Sequence, residues 1–301
     1  MKFLLFADFH YAPGIFMGGT PEALASFQRR AEEEGCELII HLGDLCNCCE
    51  EHRFLIDAYN GFHIPSYHVP GNHDADVVSH REMLAFYRLE RGYYFFDHGG
   101  YRMIVLDPNY YRHDGEYFAY EHRNYFEHGP ERDWLPPEQL AWLEETVGRA
   151  EGPCLIFSHE SFERPDGVKN REAVREIINA ANRRRPHSVL ACFNGHYHRD
   201  HREIIDGVLY MEVNATTYDW LERRHDLFPR ELCEGVSHLN HTVVYEDPLS
   251  AVVTVEGTTV TVNGCESRML MGVTRERAGC RPLDDAGRPV VPRISSFTVN
   301  L

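Results

Sequence analysis

The chain has no apolar stretch near the ~20 residues that a membrane-spanning helix needs. The run KFLLFA at residues 2–7 is too short for the apolar core of a secretory leader, and no small-residue cleavage site follows it. A cysteine framework is also missing. Nine cysteines is an odd number, and apart from Cys46, Cys48 and Cys49 they stand alone in sequence, so no disulfide ladder is expected and a reducing compartment is implied. Positive charge is scarce: 30 Lys and Arg face 47 Asp and Glu, a formal charge of −17. That balance opposes non-specific binding to nucleic acid or to an anionic membrane. It leaves phosphate ligands open, because bound divalent cations reverse the local field. There are no internal repeats and no low-complexity tracts. These absences lead us to expect a soluble, cytoplasmic protein with neither nucleic acid nor membrane as partner.

What is present suits a folded α/β protein. Of 301 residues, 43% are hydrophobic and 12% aromatic, enough to fill the core of one large domain, with or without a small appendage. Residues 2–7 read as a buried strand delivering Asp8 at its C-terminal edge. A helix is expected over 21–34, with Thr20 as N-cap, Pro21 in the first turn and Gly35 as its stop. ELIIHLGD (37–44) is a second buried strand ending in an acid, a helical stretch follows around 50–60, and SYHVPGNHD (66–74) is a third strand running into a polar tip. Such alternation predicts a largely parallel sheet covered by helices, with ligands at the C-terminal strand ends.

The middle of the chain continues in kind. YYFFD and YRMIVLD flank His98-Gly99-Gly100, a hairpin signal. Residues 108–134 are rich in Tyr, His, Glu and Arg without a clear period and read as a long surface excursion, either facing the site or simply solvated. A helix is expected at 136–150, a strand at 154–160, a helix at 171–183 and a strand at 188–198. Residues 209–217 are read as the last core strand. From about 241 the short alternating segments HTVVYE, AVVTVE and TVTVNG predict a small β appendage, and RAGCRPLDDAGRPVVPR reads as loop. The expected division is a main domain over 1–240 and an appendage over 241–301.

Five strand exits carry side chains that can bind metal. They are Asp8 with His10, Asp44 after Gly43, Gly71-Asn72-His73-Asp74, His159, and His196 with His198 after Gly195. Residues two apart on an extended strand point the same way, so Asp8 and His10 converge, as do His196 and His198. The glycines let the backbone turn tightly beside a ligand. Singly each signal is ambiguous, since a strand-end Asp is commonly a cap and an H-x-H pair commonly lies on the surface or in the core. Their order and common location carry the specificity.

DFH, GDLCN, GNHD, SH and GHYH resemble, in this order, the motifs of calcineurin-like metallophosphoesterases, over roughly residues 1–220. YYFFDHGGYRMIVLD and LPPEQLAWLEETV are similar to the branch with cyclic-nucleotide phosphodiesterase-like and ADP-ribose pyrophosphatase-like members. The resemblance implies a four-layer α/β sandwich, two mixed β-sheets flanked by helices, and two adjacent divalent metals. Asp8, His10, Asp44 and His198 would hold one. Asp44, Asn72, His159 and His196 would hold the other, with Asp44 bridging. Mixed imidazole and oxygen donors without thiolate suit Mn, Fe or Zn better than Ca or Mg. His73 matches the family's non-ligand histidine, which stabilises the transition state and protonates the leaving oxygen; a structural cap is the other reading of this residue.

The sequence also departs from the family. Asn47 stands where the protein-phosphatase branch carries an Asp that orients this histidine. An amide accepts a hydrogen bond but cannot stabilise an imidazolium by charge. Cys48 stands where that branch commonly has an arginine. His73, Asp74 and Asn47 are thus the candidate catalytic residues, and Glu160, Arg199, Arg112 and His113 the candidates for substrate contact. Glu160 reads equally as a group orienting His159 or as a solvated strand-end acid. Cys46, Cys48 and Cys49 could form a zinc cluster with His52 or serve as small hydrophobes. The expected activity is hydrolysis of a small phosphodiester or nucleotide by a metal-bound hydroxide. A phosphomonoesterase or a non-catalytic scaffold on the same fold are the alternatives.

Overall fold

The computed structural model describes residues 1–221, 223–280, 283–284 and 286–301. The first half runs β1 (Lys2–Phe6), α1 (Pro21–Glu33), β2 (Leu38–His41), α2 (Arg53–Asn60), β3 (Ser66–His68), α3 (His80–Tyr87), β4 (Tyr94–His98) and β5 (Tyr101–Val105). A hairpin, β6 (Tyr110–His113) and β7 (Glu116–Ala119), precedes α4 (Pro137–Gly148), β8 (Cys154–Phe157), α5 (Arg171–Arg184), β9 (Val189–Asn194), β10 (His201–Ile205) and β11 (Val208–Glu212). The remainder holds β12 (Tyr218–Trp220), α6 (Arg230–Gly235), β13 (Thr242–Val244), β14 (Ala251–Glu256), β15 (Thr259–Asn263), β16 (Cys265–Glu266), β17 (Arg293–Ile294) and β18 (Phe297–Asn300).

Local chemistry sets these boundaries. Thr20 Oγ1 accepts the Ala23 amide at 3.1 Å and Pro21 fills the first turn of α1. Gly35, at φ +68°, turns the chain out of the helix. Leu24, Phe27 and Ala31 place an apolar stripe on its inner side. Ser79 and Glu82 form a reciprocal capping box at the start of α3. The continuous apolar runs of β2, β8 and β9 are buried at every residue, as strands covered on both faces require.

Two six-stranded sheets pack face to face. The first has the order β18-β15-β14-β1-β2-β3 and the second β10-β11-β9-β8-β5-β4. Phe3, Leu5 and Ile40 of the first sheet meet Met103, Phe157, Phe193 and Met211 of the second in one apolar cluster. The outer face of the first sheet is covered by α1, α2 and α3 through Leu24, Phe27, Leu55, Ile56 and Met83. The outer face of the second is covered by α4 and α5 through Leu143, Val147, Val174 and Ile178. The expected four layers and mixed sheets are therefore present.

The small C-terminal strands are also present, and their attachment is a finding. β14 is hydrogen-bonded antiparallel to β1, from Lys2↔Thr254 to Leu5↔Ala251, and β15 and β18 follow outward. They complete the first sheet, so residue 240 marks no break in it, and the strand at Val208–Glu212 is not the last core strand. Without β14, the edge of β1 away from β2 would leave its amides and carbonyls unpaired in the core. Tyr218, Phe228, Leu239 and Val244 belong to a further apolar cluster, with Phe16 packed against it. The 277–293 stretch, expected as loop, is covered in part by the described residues; it places Val290 in that cluster and ends in β17. All nine cysteines are free. No helix among the described residues is long and apolar enough to cross a membrane.

Candidate metal centre and active site

Asp8 and His10 follow β1, Asp44 follows β2, Asn72 and His73 follow β3, His159 follows β8, and His196 and His198 follow β9. The C-terminal ends of strands from both sheets therefore open onto one place. The backbone there is strained. Asp8, His10, Asp44, His196 and His198 all have positive φ, between +48° and +72°, a region non-glycine residues seldom occupy and one concentrated at functional sites. Space is equally constrained. A Cβ on Gly71 would lie 2.3 Å from Asp44 Oδ1, and one on Gly43 would lie 2.2 Å from His159 Nδ1. Only glycine fits at these two positions while the carboxylate and imidazole keep their places.

The side chains converge as two groups that share Asp44. In the first, His10 Nε2 lies 3.3 Å from His198 Nε2, 3.8 Å from Asp8 Oδ1 and 3.7 Å from Asp44 Oδ2, and His198 Nε2 lies 3.5 Å from Asp8 Oδ1. In the second, His159 Nε2 lies 3.1 Å from both Asp44 Oδ2 and Asn72 Oδ1, and His196 Nδ1 lies 2.9 Å from Asn72 Oδ1. The outer nitrogens are fixed by carbonyls. His159 Nδ1 donates to Leu42 O at 2.7 Å and His198 Nδ1 to Tyr218 O at 2.9 Å, which turns the Nε2 atoms inward as acceptors. Buried carboxylate oxygens and imidazole lone pairs facing one another at these separations repel unless a cation lies among them. The donor set therefore fits a pair of metal ions, and Asp8, His10 and His198, or Asp8, Asp44 and His159, could each hold one.

Titration follows the same geometry. Burial drives the His10 pKa down to about 3 and also holds His196 well below its ordinary value. At His159 burial opposes the charge, but Asp44, with Asp8 and Glu160, outweighs it and raises the pKa well above 6.5, so this Nε2 favours a positive charge, from a proton or from a cation. His73 behaves likewise: burial lowers it, while Asp44 and Asp76 together raise it.

The partner of His73 is one the sequence reading missed. His73 Nδ1 lies 2.9 Å from Asp76 Oδ2, and Tyr125 Oη donates to Asp76 Oδ1 at 2.8 Å. Arg123 Nε donates to the same Asp76 Oδ2 at 2.9 Å. Asp76 is buried, so it can supply the charge that Asn47 could not. Its spacing, three residues beyond His73 in GNHDAD, was a usable signal; nothing in the sequence marked Tyr125. Asn47 lines the cleft and offers its main-chain carbonyl to His52 Nδ1 at 3.1 Å. Asp74 points away from chemistry. Its carboxylate accepts the amides of Gly71 at 2.7 Å, Leu45 at 3.0 Å and Asp44 at 3.2 Å, bracing the two motif loops together.

The candidates for substrate contact are redistributed. Arg199 is committed to Asp219 and, at 3.4 Å, to Asp284. Arg112 and His113 sit on the exposed β6–β7 hairpin; Arg112 lies over the rings of Tyr117 and Trp134 and His113 lies 3.6 Å from Asp114. None of the three lines the cleft at the candidate ligands. Glu160 is wholly buried beside His159, not solvated, and both its carboxylate oxygens lack a partner among the described residues. Burial raises its pKa well above the ordinary range. Cys46 and Cys48 are packed into the apolar layer beneath α1 and α2, where burial pushes both thiols up; they act as small hydrophobes.

Over the ligands lies a cleft of about 390 Å³, with His10, Asp44 and His73 among its lining residues, a volume suited to a small molecule. Phe16 and Trp220, packed edge to face at 5.3 Å, form one wall beside His10. Phe126 and Arg123, from the 108–134 excursion, form the other. The His122 amide holds this excursion down on Ala75 O at 2.9 Å and Val78 O at 3.1 Å.

A scaffold of this kind, with acid and imidazole ligands shared across two sheets, defines a class of metal-dependent phosphoester hydrolases. The model of the calcineurin-like phosphoesterases matches residues 1–200, and the chain belongs to that family. Its fold is similar to that of a dimetal phosphatase from Danio rerio, at 16% identity and a TM-score of 0.61, covering 99% of this chain and 98% of that one. It is also similar to GAP50, an anchor in the inner membrane complex of Plasmodium, at 10% identity and a TM-score of 0.51, covering 92% of each chain. No curated protein matches the sequence.

Proposed function

We propose that the chain hydrolyses a small phosphodiester or nucleotide, with Asp8, His10, Asp44 and His198 holding one divalent cation and Asp44, Asn72, His159 and His196 a second. The observation that carries this reading is the pair of buried, acceptor-rich groups joined through Asp44 beneath a cleft of small-molecule size. When bound, the cations supply polarisation of the phosphoryl group and activation of a water. The chain's own residues do the rest. Asn72 contributes a neutral carbonyl oxygen, which leaves the second position more electrophilic than a third carboxylate would. Asp76 accepts from His73 Nδ1 and so leaves Nε2 to carry the proton given to the leaving oxygen. Phe16, Trp220 and Phe126 give the cleft above apolar walls against which the organic part of a substrate can pack.

Diesters are favoured over monoesters in this reading. A monoester carries nearly two negative charges near pH 7 and a diester one. Arg123 is the one Lys or Arg among the described residues lining the cleft, and the walls are largely apolar. The test is a substrate panel on manganese-loaded protein: bis-p-nitrophenyl phosphate, p-nitrophenyl phosphate, cyclic nucleotides and nucleotide diphosphate sugars. Metal-dependent turnover, with a higher kcat/KM for the diester than for the monoester, is expected. Turnover undiminished after exhaustive chelation would overturn the metal assignment, and a diester-to-monoester ratio well below one would overturn the preference alone.

A further inference from the structure

We infer that Arg123 is a substrate-binding residue, whose guanidinium holds a non-bridging oxygen of the phosphate ester across the cleft from the metal ligands. This inference rests on the phosphoesterase reading of the site. Arg123 lines the same cleft as His10, Asp44 and His73. Its Nε is bound to Asp76 Oδ2 at 2.9 Å, and neither Nη has an acceptor among the described residues. One edge of the fork is anchored and the other is free, the arrangement that pre-orients a guanidinium for an oxyanion. The side chain is 52% exposed, so the free edge is open to a ligand.

The backbone supports the placement. His122 and Arg123 have φ of +49° and +62°, two successive residues in the left-handed region. Such strain persists where surrounding contacts over-determine it, and here the His122 amide is clamped by Ala75 O and Val78 O. The excursion is thus bent so that Arg123 returns to the loop carrying His73. Arg123 is the one guanidinium among the described residues that lines this cleft; Arg132, whose charge acts on His196, lies 3.5 Å from Asp133 and does not line it. Arg199 is paired with Asp219 and Asp284, Arg112 lies over aromatic rings, and the position after Asn47 holds the buried Cys48.

Arg123 shares Asp76 with His73, so a loss of turnover alone would not separate binding from positioning. The separating measurement is calorimetric titration of inorganic phosphate into manganese-loaded wild type, Arg123→Met and Arg123→Lys, with metal content and melting temperature measured alongside. With two metals still bound, Arg123→Met is expected to weaken phosphate binding by ~10- to 100-fold, the loss of a charge-assisted pair, and to raise KM for the diester in parallel. Arg123→Lys keeps the charge but loses the fork, and should fall between. Phosphate affinity within about twofold of wild type in Arg123→Met would overturn the inference and leave Arg123 as an anchor of the excursion. Should Arg123→Met fail to fold, unchanged affinity in Arg123→Lys would overturn it equally, because a lysine cannot reproduce the fork. A metal-loaded wild type that binds no phosphate would sink the phosphoesterase reading as well.

Discussion

At the scale of single residues, the convergence of the candidate ligands was legible and their supporting partners were not. Asp8, His10, Asp44, Asn72, His159, His196 and His198 each sit at a strand exit, and short ordered motifs announce such positions. Asp76 and Tyr125 lie outside those motifs, and Tyr125 reaches His73 only because the excursion folds back over it. This yields a contrast between two neighbours of His73. His73→Asn should keep two metals per chain and lose ~10²–10⁴ in kcat with poor leaving groups, but far less with p-nitrophenolate, which needs little protonation. An equal loss for both would make the role of His73 purely electrostatic. Asp76 raises the His73 pKa, and an acid works only while protonated, so activity falls as pH rises through that pKa. Asp76→Asn should therefore move the alkaline limb of the kcat profile to lower pH. Asn47→Ala should leave that limb in place, because Asn47 offers its main chain, not its side chain, to a neighbour. A limb displaced by Asn47→Ala and unmoved by Asp76→Asn would reverse the assignment.

At the scale of elements, apolar runs and caps fixed most helices and strands to within a few residues. What pairs with what was harder. The alternation in AVVTVE marks β14 as a half-buried strand, but its partner β1 lies some 250 residues upstream, from Lys2↔Thr254 to Leu5↔Ala251, and only the unfilled edge of a folded sheet selects it. The hairpin in the excursion had a local signal, Asp114-Gly115, both at positive φ between β6 and β7; the surrounding polar residues hid its period. Charge pairing over long range was invisible too. Arg288 is buried, with Nη1 2.5 Å from Glu212 Oε2 at the end of β11 and Nη2 on Glu163. Arg164 meets Glu212 Oε1 at 3.2 Å. Even so, burial pushes the Glu212 pKa up to about 7, with the two arginines pulling it down. Arg288→Met would leave Glu212 short of one partner in the interior. Urea unfolding should show a loss of about 3–5 kcal/mol, and the double variant Arg288→Met, Glu212→Gln should lose less than the sum of the single changes. Additive losses would mean that the Arg288–Glu212 contact contributes nothing to stability.

At the scale of the whole molecule, the charge of −17 and the buried histidines make opposite demands as pH falls. Protonating surface carboxylates relieves self-repulsion and favours the compact state. Behind the candidate metal centre, however, His41 and His68 are buried in the layer between the first sheet and its helices. Neither nitrogen of His41 has a partner among the described residues, and Phe6, Tyr59 and His68 surround its ring. His68 Nε2 is bound to Asn60 Oδ1 at 2.9 Å and its ring stacks on Tyr87 at 3.9 Å. Burial lowers the His41 pKa to about 3, against a raising effect of Asp44, and holds His68 well below 6.5 with help from His41 and Arg88. At these two histidines the folded state thus binds fewer protons than the unfolded chain below pH 6.5. Their contribution to stability is complete above that value and is lost as pH falls from 6.5 toward 3, at about 1.4 kcal/mol per pH unit for one fully suppressed proton. The candidate metal centre holds further buried histidines, so the measurement belongs in chelator, on wild type and His41→Leu together. The slope of unfolding free energy against pH between 6.5 and 4 should be shallower in His41→Leu by roughly that one-proton amount. Parallel slopes would show that His41 is protonated or hydrated in the folded state, and that the acid sensitivity of the fold comes from its carboxylates.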